Sequence, residues 1–221
     1  MCRFLLAKSE KPFNAVPLLQ KFAEMSKISK ALDGDWQGDG CGISWLENNI
    51  WKVKTSIDPI WENVENFSGT PKTKHVVMHA RSASFPQHKG ILEYNQPYVY
   101  KNYVFVFNGL LKGVGLPYQL EGTIGAQKIW SLILMYLKKF APNIALEKAV
   151  ADLNKYSQFI QALNIGLSDG KDMYIYNQFA SHKEYYSLQT ALSDRITLAA
   201  SEKIEGYKFK KASLKKVEKL I

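Results

Sequence analysis

Two consecutive stretches of helical periodicity interrupt a chain otherwise patterned for strands, and this arrangement narrows the fold more than any other feature. Residues 124–140 carry Ile129, Trp130, Leu132, Ile133, Tyr136 and Leu137 at amphipathic-helix spacing. Residues 143–158 follow as a second helix, with Pro142 near its start. Before them the patterning predicts strands at 2–7, 41–46, 50–55, 74–81, 97–100 and 103–107. After them it predicts strands at 162–168, 172–177, 185–190, 195–200 and 214–218. Asp169-Gly170 is a hairpin turn, and Glu47-Asn48-Asn49 and Lys101-Asn102 are two others. An earlier helix is predicted over 15–29 and a short one over 58–66. Helices set between two groups of strands imply a layered α+β fold and exclude alternating βαβ units. With no repeat, low-complexity tract or linker, residues 1–221 read as a single domain.

The chemistry begins at Cys2, directly behind Met1. Once Met1 is removed, one residue holds both a thiol and a free α-amine. A thiol attacks well only as the thiolate, so something must take its proton. An α-amine with an ordinary pKa of about 7.7–8.0 is suited to that task near neutral pH. The competing reading makes Cys2 merely the start of a buried strand, since Phe4-Leu5-Leu6-Ala7 follows.

Several function classes drop out. The chain has 221 residues, 46% of them hydrophobic, enough for a substantial core. No run approaches the roughly 18 apolar residues of a membrane span, and no secretory leader pattern opens the chain, so a cytoplasmic location is expected. Cys2 and Cys41 are too few for a disulfide framework. His75 and His79 share a strand face with no Glu or Cys joining them, so no metal is expected. No glycine-rich phosphate loop is present, so no cofactor is expected either. The net charge of +9 invites nucleic acid, yet only Arg3, Arg81 and Arg195 offer guanidinium forks. The lysine patch Lys208, Lys210, Lys211, Lys215, Lys216 and Lys219 reads as a solvated edge.

Four local features complete the pattern: Cys2, then His79-Ala80-Arg81-Ser82-Ala83-Ser84, then Asn95-Gln96-Pro97-Tyr98, then Phe107-Asn108-Gly109, where Asn108-Gly109 taken alone is an ordinary turn signal ending the 103–107 strand. In this order and with these gaps they resemble the class II glutamine amidotransferases, the N-terminal-nucleophile (Ntn) hydrolases whose cysteine follows Met1. The likeness is greatest to the small stand-alone branch beginning Met-Cys-Arg. Asp39-Gly40-Cys41-Gly42-Ile43-Ser44-Trp45 resembles the family's D-G-W-G-I-x-W stretch, and Ala200-Ser201-Glu202 its late A-S-E strand end.

The resemblance implies a four-layer αββα sandwich and an amidohydrolase that cleaves a side-chain amide through a thioester. It implies Cys2 as nucleophile, Asn108 and Gly109 as donors to the tetrahedral oxyanion, and Arg81 as the fork for a substrate carboxylate. The partner would be a small-molecule amide, with an ammonia-accepting synthase as an additional one. A binding module of the same fold that lacks turnover is the alternative.

The chain also departs from this family. Its T-D-S-E segment, whose aspartate takes the substrate ammonium, aligns with Ile124-Gly125-Ala126-Gln127, which puts Gly125 at the aspartate position, or by an offset starting at Thr123 puts Ile124 there, and neither supplies a carboxylate. Glu121, Asp35 and Asp39 are the carboxylates considered as substitutes. The family's histidines before Asn-Gly and before Pro are Phe107 and Gln96 here.

Overall fold

The computed structural model describes residues 2–29, 34 and 36–220. Two antiparallel sheets lie face to face. The first contains β1 (Arg3–Phe13), β2 (Cys41–Glu47), β3 (Ile50–Ser56), β4 (Thr73–Ala80), β9 (Gln189–Ser193), β10 (Ile196–Ala200) and β11 (Lys210–Lys211), in the order β11-β9-β10-β1-β4-β2-β3. The second contains β5 (Tyr98–Tyr100), β6 (Tyr103–Val114), β7 (Ser157–Ser168), β8 (Met173–Phe179) and β12 (Val217–Leu220), in the order β12-β8-β7-β6-β5.

Side-chain alternation along each strand builds the layers. In β1, Leu5 and Ala7 face outward onto α1 (Val16–Ile28), where Leu18, Leu19 and Phe22 meet them beside Phe67 of α2 (Val64–Ser68). Phe4 and Leu6 face inward and join Val77, Val104, Val106 and Ile175 between the sheets. On the far side, Phe105, Phe107, Leu163 and Ile165 pack against Ile129 and Ile133 of α3 (Gly125–Leu137) and Leu146 of α4 (Pro142–Tyr156). The result is the expected α+β sandwich of four αββα layers. No helix among the described residues is long and apolar enough to cross a membrane.

Several boundaries differ from the sequence expectation. Strand β1 runs on to Phe13, its pairing with β4 shifting register after Lys8. The expected strand 185–190 is split: a short helix α5 (Lys183–Tyr186) comes first, and β9 begins at Gln189. His182, with φ 55°, turns the chain into that helix. The aromatic Tyr185-Tyr186 pair mimics a strand signal. The last strand begins at Val217 instead of 214, and 58–66 divides into a single 3₁₀ turn at Ile60–Glu62 followed by α2.

On either side of the Leu6–Val77 level the inner layer turns polar, with His75 buried opposite Lys8 and His79 buried opposite Phe4. Burial lowers the His75 pKa to about 4, with Lys8 adding to the effect, and lowers that of His79 to about 3, with Arg81 adding to it. These values lie below the ordinary 6.5, so the unfolded chain binds protons that the folded chain refuses. The stability contribution is therefore complete above pH 6.5 and is lost as pH falls from there toward the folded pKa values. Each group contributes up to about 1.4 kcal/mol per pH unit within that window. Urea midpoints should drop between about pH 7 and about pH 4.5, and His79→Leu should flatten the drop. An unchanged slope in the variant would refute this account.

Candidate functional site

Strand pairing sets the level of every group across the inner layer. His75, opposite Lys8, reaches Ser168, which pairs with Val104. Two residues along, the Leu6 side chain abuts Gly166 and Val106. Two further, His79, opposite Phe4, lies against the Phe107 carbonyl, next to Asn108. Cys2 and Arg81 lie two residues beyond that level, just past the last β1–β4 pair Arg3–Ala80, roughly 7 Å further by strand rise. The four residues singled out in the sequence thus converge at one end of the sandwich. The Cys2 thiol donates to the Ser82 carbonyl at 3.6 Å.

Asn108 is the most informative of them. It lines up with Asn164 of β7, which lines up with Asn177 of β8, so three adjacent strands present a row of buried asparagines. Two of the three are satisfied. Asn164 and Asn177 each donate to the Tyr186 carbonyl, at 2.7 and 3.1 Å, and Asn177 also donates to Asn164 Oδ1 at 2.6 Å. Asn108 is 1% exposed, and neither its Nδ2 nor its Oδ1 has a hydrogen-bond partner. A buried polar group without a partner costs about 1–3 kcal/mol, so such a group calls for a reason.

Its backbone neighbour is held firmly. The Gln96 side chain accepts from the Phe107 N–H at 2.6 Å and donates to the Phe107 carbonyl at 3.3 Å. Tyr98 and Phe105 are the last residues in that direction to pair as β5 and β6. The Gln96 amide continues the ladder where the backbone stops, just before Asn108. This segment fits only because β2 makes room. A side chain at Gly42 would meet the Gln96 carbonyl at 2.4 Å, and one at Gly40 would strike the Asn95 amide at a similar distance.

Gly109 corrects a sequence expectation. Asn108-Gly109 was expected as a turn ending its strand, but both lie inside β6, which continues to Val114 with a register shift only after Leu110. The glycine is required by close packing: a side chain there would meet the Ala162 carbonyl of β7 at 2.1 Å.

Arg81 is buried and already engaged. Its Nη1 donates to Asn95 Oδ1 at 3.2 Å and to the Asp39 carbonyl at 3.4 Å, and its Nη2 to the His88 carbonyl at 2.7 Å. It ties three loops together beside the thiol. Asp39 is also committed, accepting from the Ala83 N–H at 2.8 Å and pairing with Lys89 at 3.0 Å. Gly125 opens α3, with free space where a side chain would stand. Glu121 lines a groove beside it, and Asp35 lies outside the described residues. Cys41 is packed in the outer core, where burial pushes its thiol up to about 12, so it stays protonated.

Sequence reasoning missed the anchoring of the nucleophile's own strand. Arg3, 2% exposed, donates to Ser29 Oγ at 2.9 Å and the Tyr185 carbonyl at 3.1 Å, and pairs with Glu202 at 2.8 Å. Its guanidinium sits 4.0 Å over the Tyr185 ring. Ser201 brackets Phe4, accepting from its N–H at 2.8 Å. The pairing of Met-Cys-Arg with Ala-Ser-Glu was the available signal, because two motifs nearly 200 residues apart meet here.

No protein-family model and no curated protein sequence matches the chain. Solved structures do share its architecture. A glutamine aminotransferase class-II domain protein from Silicibacter pomeroyi superposes with a TM-score of 0.63 at 15% identity, covering 96% of this chain and 92% of that one. The glutamine phosphoribosylpyrophosphate amidotransferase of B. subtilis gives 0.69 at 12% identity, covering 99% and 48%. A third structure, described as the allosteric regulatory enzyme of purine biosynthesis, gives 0.70 at 14%, again covering 99% and 48%. The chain spans about half the length of the latter two. At these identities the likeness is one of fold: this chain has the four-layer αββα sandwich of those structures.

Two stability predictions follow from the geometry. Asn108→Leu removes an unsatisfied buried amide at nearly constant volume, so it should raise the unfolding free energy, by about 1–3 kcal/mol at most. Gln96→Leu strands the Phe107 N–H and carbonyl, so it should lower it by a similar amount. Denaturant titration of both variants measures this; a destabilised Asn108→Leu would mean that Asn108 has a partner after all.

Proposed function

We propose that the protein is an N-terminal-cysteine amidohydrolase of the glutamine amidotransferase type, with Cys2 as nucleophile and Asn108 and Gly109 as oxyanion donors. The observation that carries this reading is the unpartnered Asn108 amide, buried one step from the Cys2 level and kept free while its two neighbours in the row are bonded. A donor held ready at a cost in stability is what a developing negative charge requires.

In this reading Met1 is removed and the Cys2 α-amine takes the thiol proton. The thiolate adds to the side-chain amide carbon, and the carbonyl oxygen becomes an oxyanion facing Asn108 Nδ2 and the Gly109 N–H. Collapse breaks the C–N bond, ammonia or an amine leaves with the proton from the α-ammonium, and a thioester remains. Water, deprotonated by the same amine, then releases the acid. Gln96 acts one residue away by fixing the Phe107 backbone, and Arg3 by fixing the strand that bears the nucleophile.

Arg81 is assigned to the substrate carboxylate. The carboxylate would replace a neutral carbonyl acceptor of the fork, such as that of His88, and a charge-assisted hydrogen bond is roughly twice as strong as a neutral one. With Gly125 offering no carboxylate to an ammonium, the preferred substrate carries no free α-ammonium, or has it recognised elsewhere. Ammonia is either released or handed to a separate synthase.

Intact mass should show a chain without Met1. Cys2→Ala should abolish ammonia release from glutaminyl substrates, and Asn108→Ala should lower kcat by about 10²–10³ with a smaller change in KM. Retention of Met1 in an active preparation, or full activity in Cys2→Ala, would rule the mechanism out.

A further inference from the structure

Beside the reacting centre, the edge strands β3 and β5 and helix α3 enclose a groove of about 550 Å³. Trp130 and Leu134 of α3, Val53 of β3, and Leu92 form its apolar walls. The Trp130 ring is stacked 5.2 Å from Phe105, which is itself stacked on Tyr98. Gln127 ties the start of α3 to the opposite wall, accepting from the Thr123 N–H at 2.8 Å and donating to the Glu93 carbonyl at 3.2 Å.

Glu93 and Glu121 stand exposed on its lining, and neither is in an ion pair among the described residues. In a chain of net charge +9 this mouth is a local reversal of sign. The groove is continuous with the candidate site. Asn95 and Tyr98 line it, Asn95 Oδ1 accepts from Arg81, and the half-buried Tyr98 phenol is within electrostatic reach of Arg81 and Cys2.

We infer that this groove holds the residue preceding glutamine in a short peptide that ends in glutamine. The inference rests on the amidohydrolase reading and names its substrate class. The glutamine carboxylate lies toward Arg81 and its side-chain amide toward Cys2. Its α-nitrogen is in a peptide bond, carries no charge, and needs no carboxylate at Gly125. The preceding side chain packs on Trp130 and Leu134, and the peptide's terminal ammonium meets Glu93 and Glu121. The volume falls within the roughly 300–1,000 Å³ of small-molecule sites. Free glutamine would leave it empty. The net reaction is addition of one water to the side-chain amide, giving a peptide ending in glutamate and one ammonia.

The test measures ammonia release by the full-length protein from glutamine, leucyl-glutamine, N-acetyl-leucyl-glutamine and leucyl-glutamine amide. The expected kcat/KM for leucyl-glutamine exceeds that for glutamine by about tenfold or more, and acetylation removes several-fold of the gain, as a partly exposed ion pair would. The C-terminal amide is a poor substrate because it lacks the carboxylate. Glu121→Lys, a change at an exposed position, lowers kcat/KM for leucyl-glutamine by about tenfold but not that for its acetylated form. Glutamine cleaved as well as the dipeptide overturns the groove assignment and leaves the amidohydrolase reading standing, as does an equal effect of Glu121→Lys on both dipeptides. Absence of turnover on all four compounds overturns both.

Discussion

The inner layer between the two sheets changes character along its length, and the rest of the molecule depends on that change. In its middle Leu6, Val77, Val106 and Ile175 form a close-packed apolar contact. At one end, within two strand pairs, stand Cys2, His79, Asn108, Asn164 and Asn177, and at the opposite end His75 meets Ser168. Burial of the apolar middle supplies the free energy that lets the polar ends carry neutral histidines and an amide without partners. A uniformly apolar layer would be more stable.

Rigidity at the polar end comes from devices outside the main ladders. Gln96 continues the β5–β6 ladder with its side chain, Arg81 gathers three loops, and Arg3 binds the first strand to the end of β10. Each commits a buried side chain to two or more hydrogen bonds, which orders the group more strongly than an exposed pair would. Glycines at 40 and 42 are part of the same construction, because the Asn95-Gln96 segment occupies the space their side chains would fill. The Asp-Gly-Cys-Gly stretch that leads into β2 is thereby a seat for the segment leading to Tyr98.

Much of the architecture was legible in the residues. Period-two alternation and the 3.6-residue stripes of α3 and α4 reflect burial by neighbours in the same element, so they survive without tertiary knowledge. The hairpins at Asn48-Asn49 and Lys101-Asn102 were equally readable, since the positive φ of Asn48, Asn49 and Lys101 is a local property. The failures came where a local signal has two outcomes. Asn108-Gly109 looked like a turn, and Tyr185-Tyr186 looked like a strand. In both cases a neighbouring strand or loop, distant in sequence, decided the conformation.

The amino-acid order alone determined the layered α+β arrangement, the cysteine behind Met1, and the short list of residues able to handle an amide and a carboxylate. Only the folded structure decided which of these groups are already spent and which are held in reserve. Arg81 and Asp39 turned out to be committed to loops, Asn164 and Asn177 to Tyr186, and Asn108 to nothing. The reason is physical: whether a buried polar atom is satisfied depends on partners brought together from all along the chain. No local pattern encodes that sum.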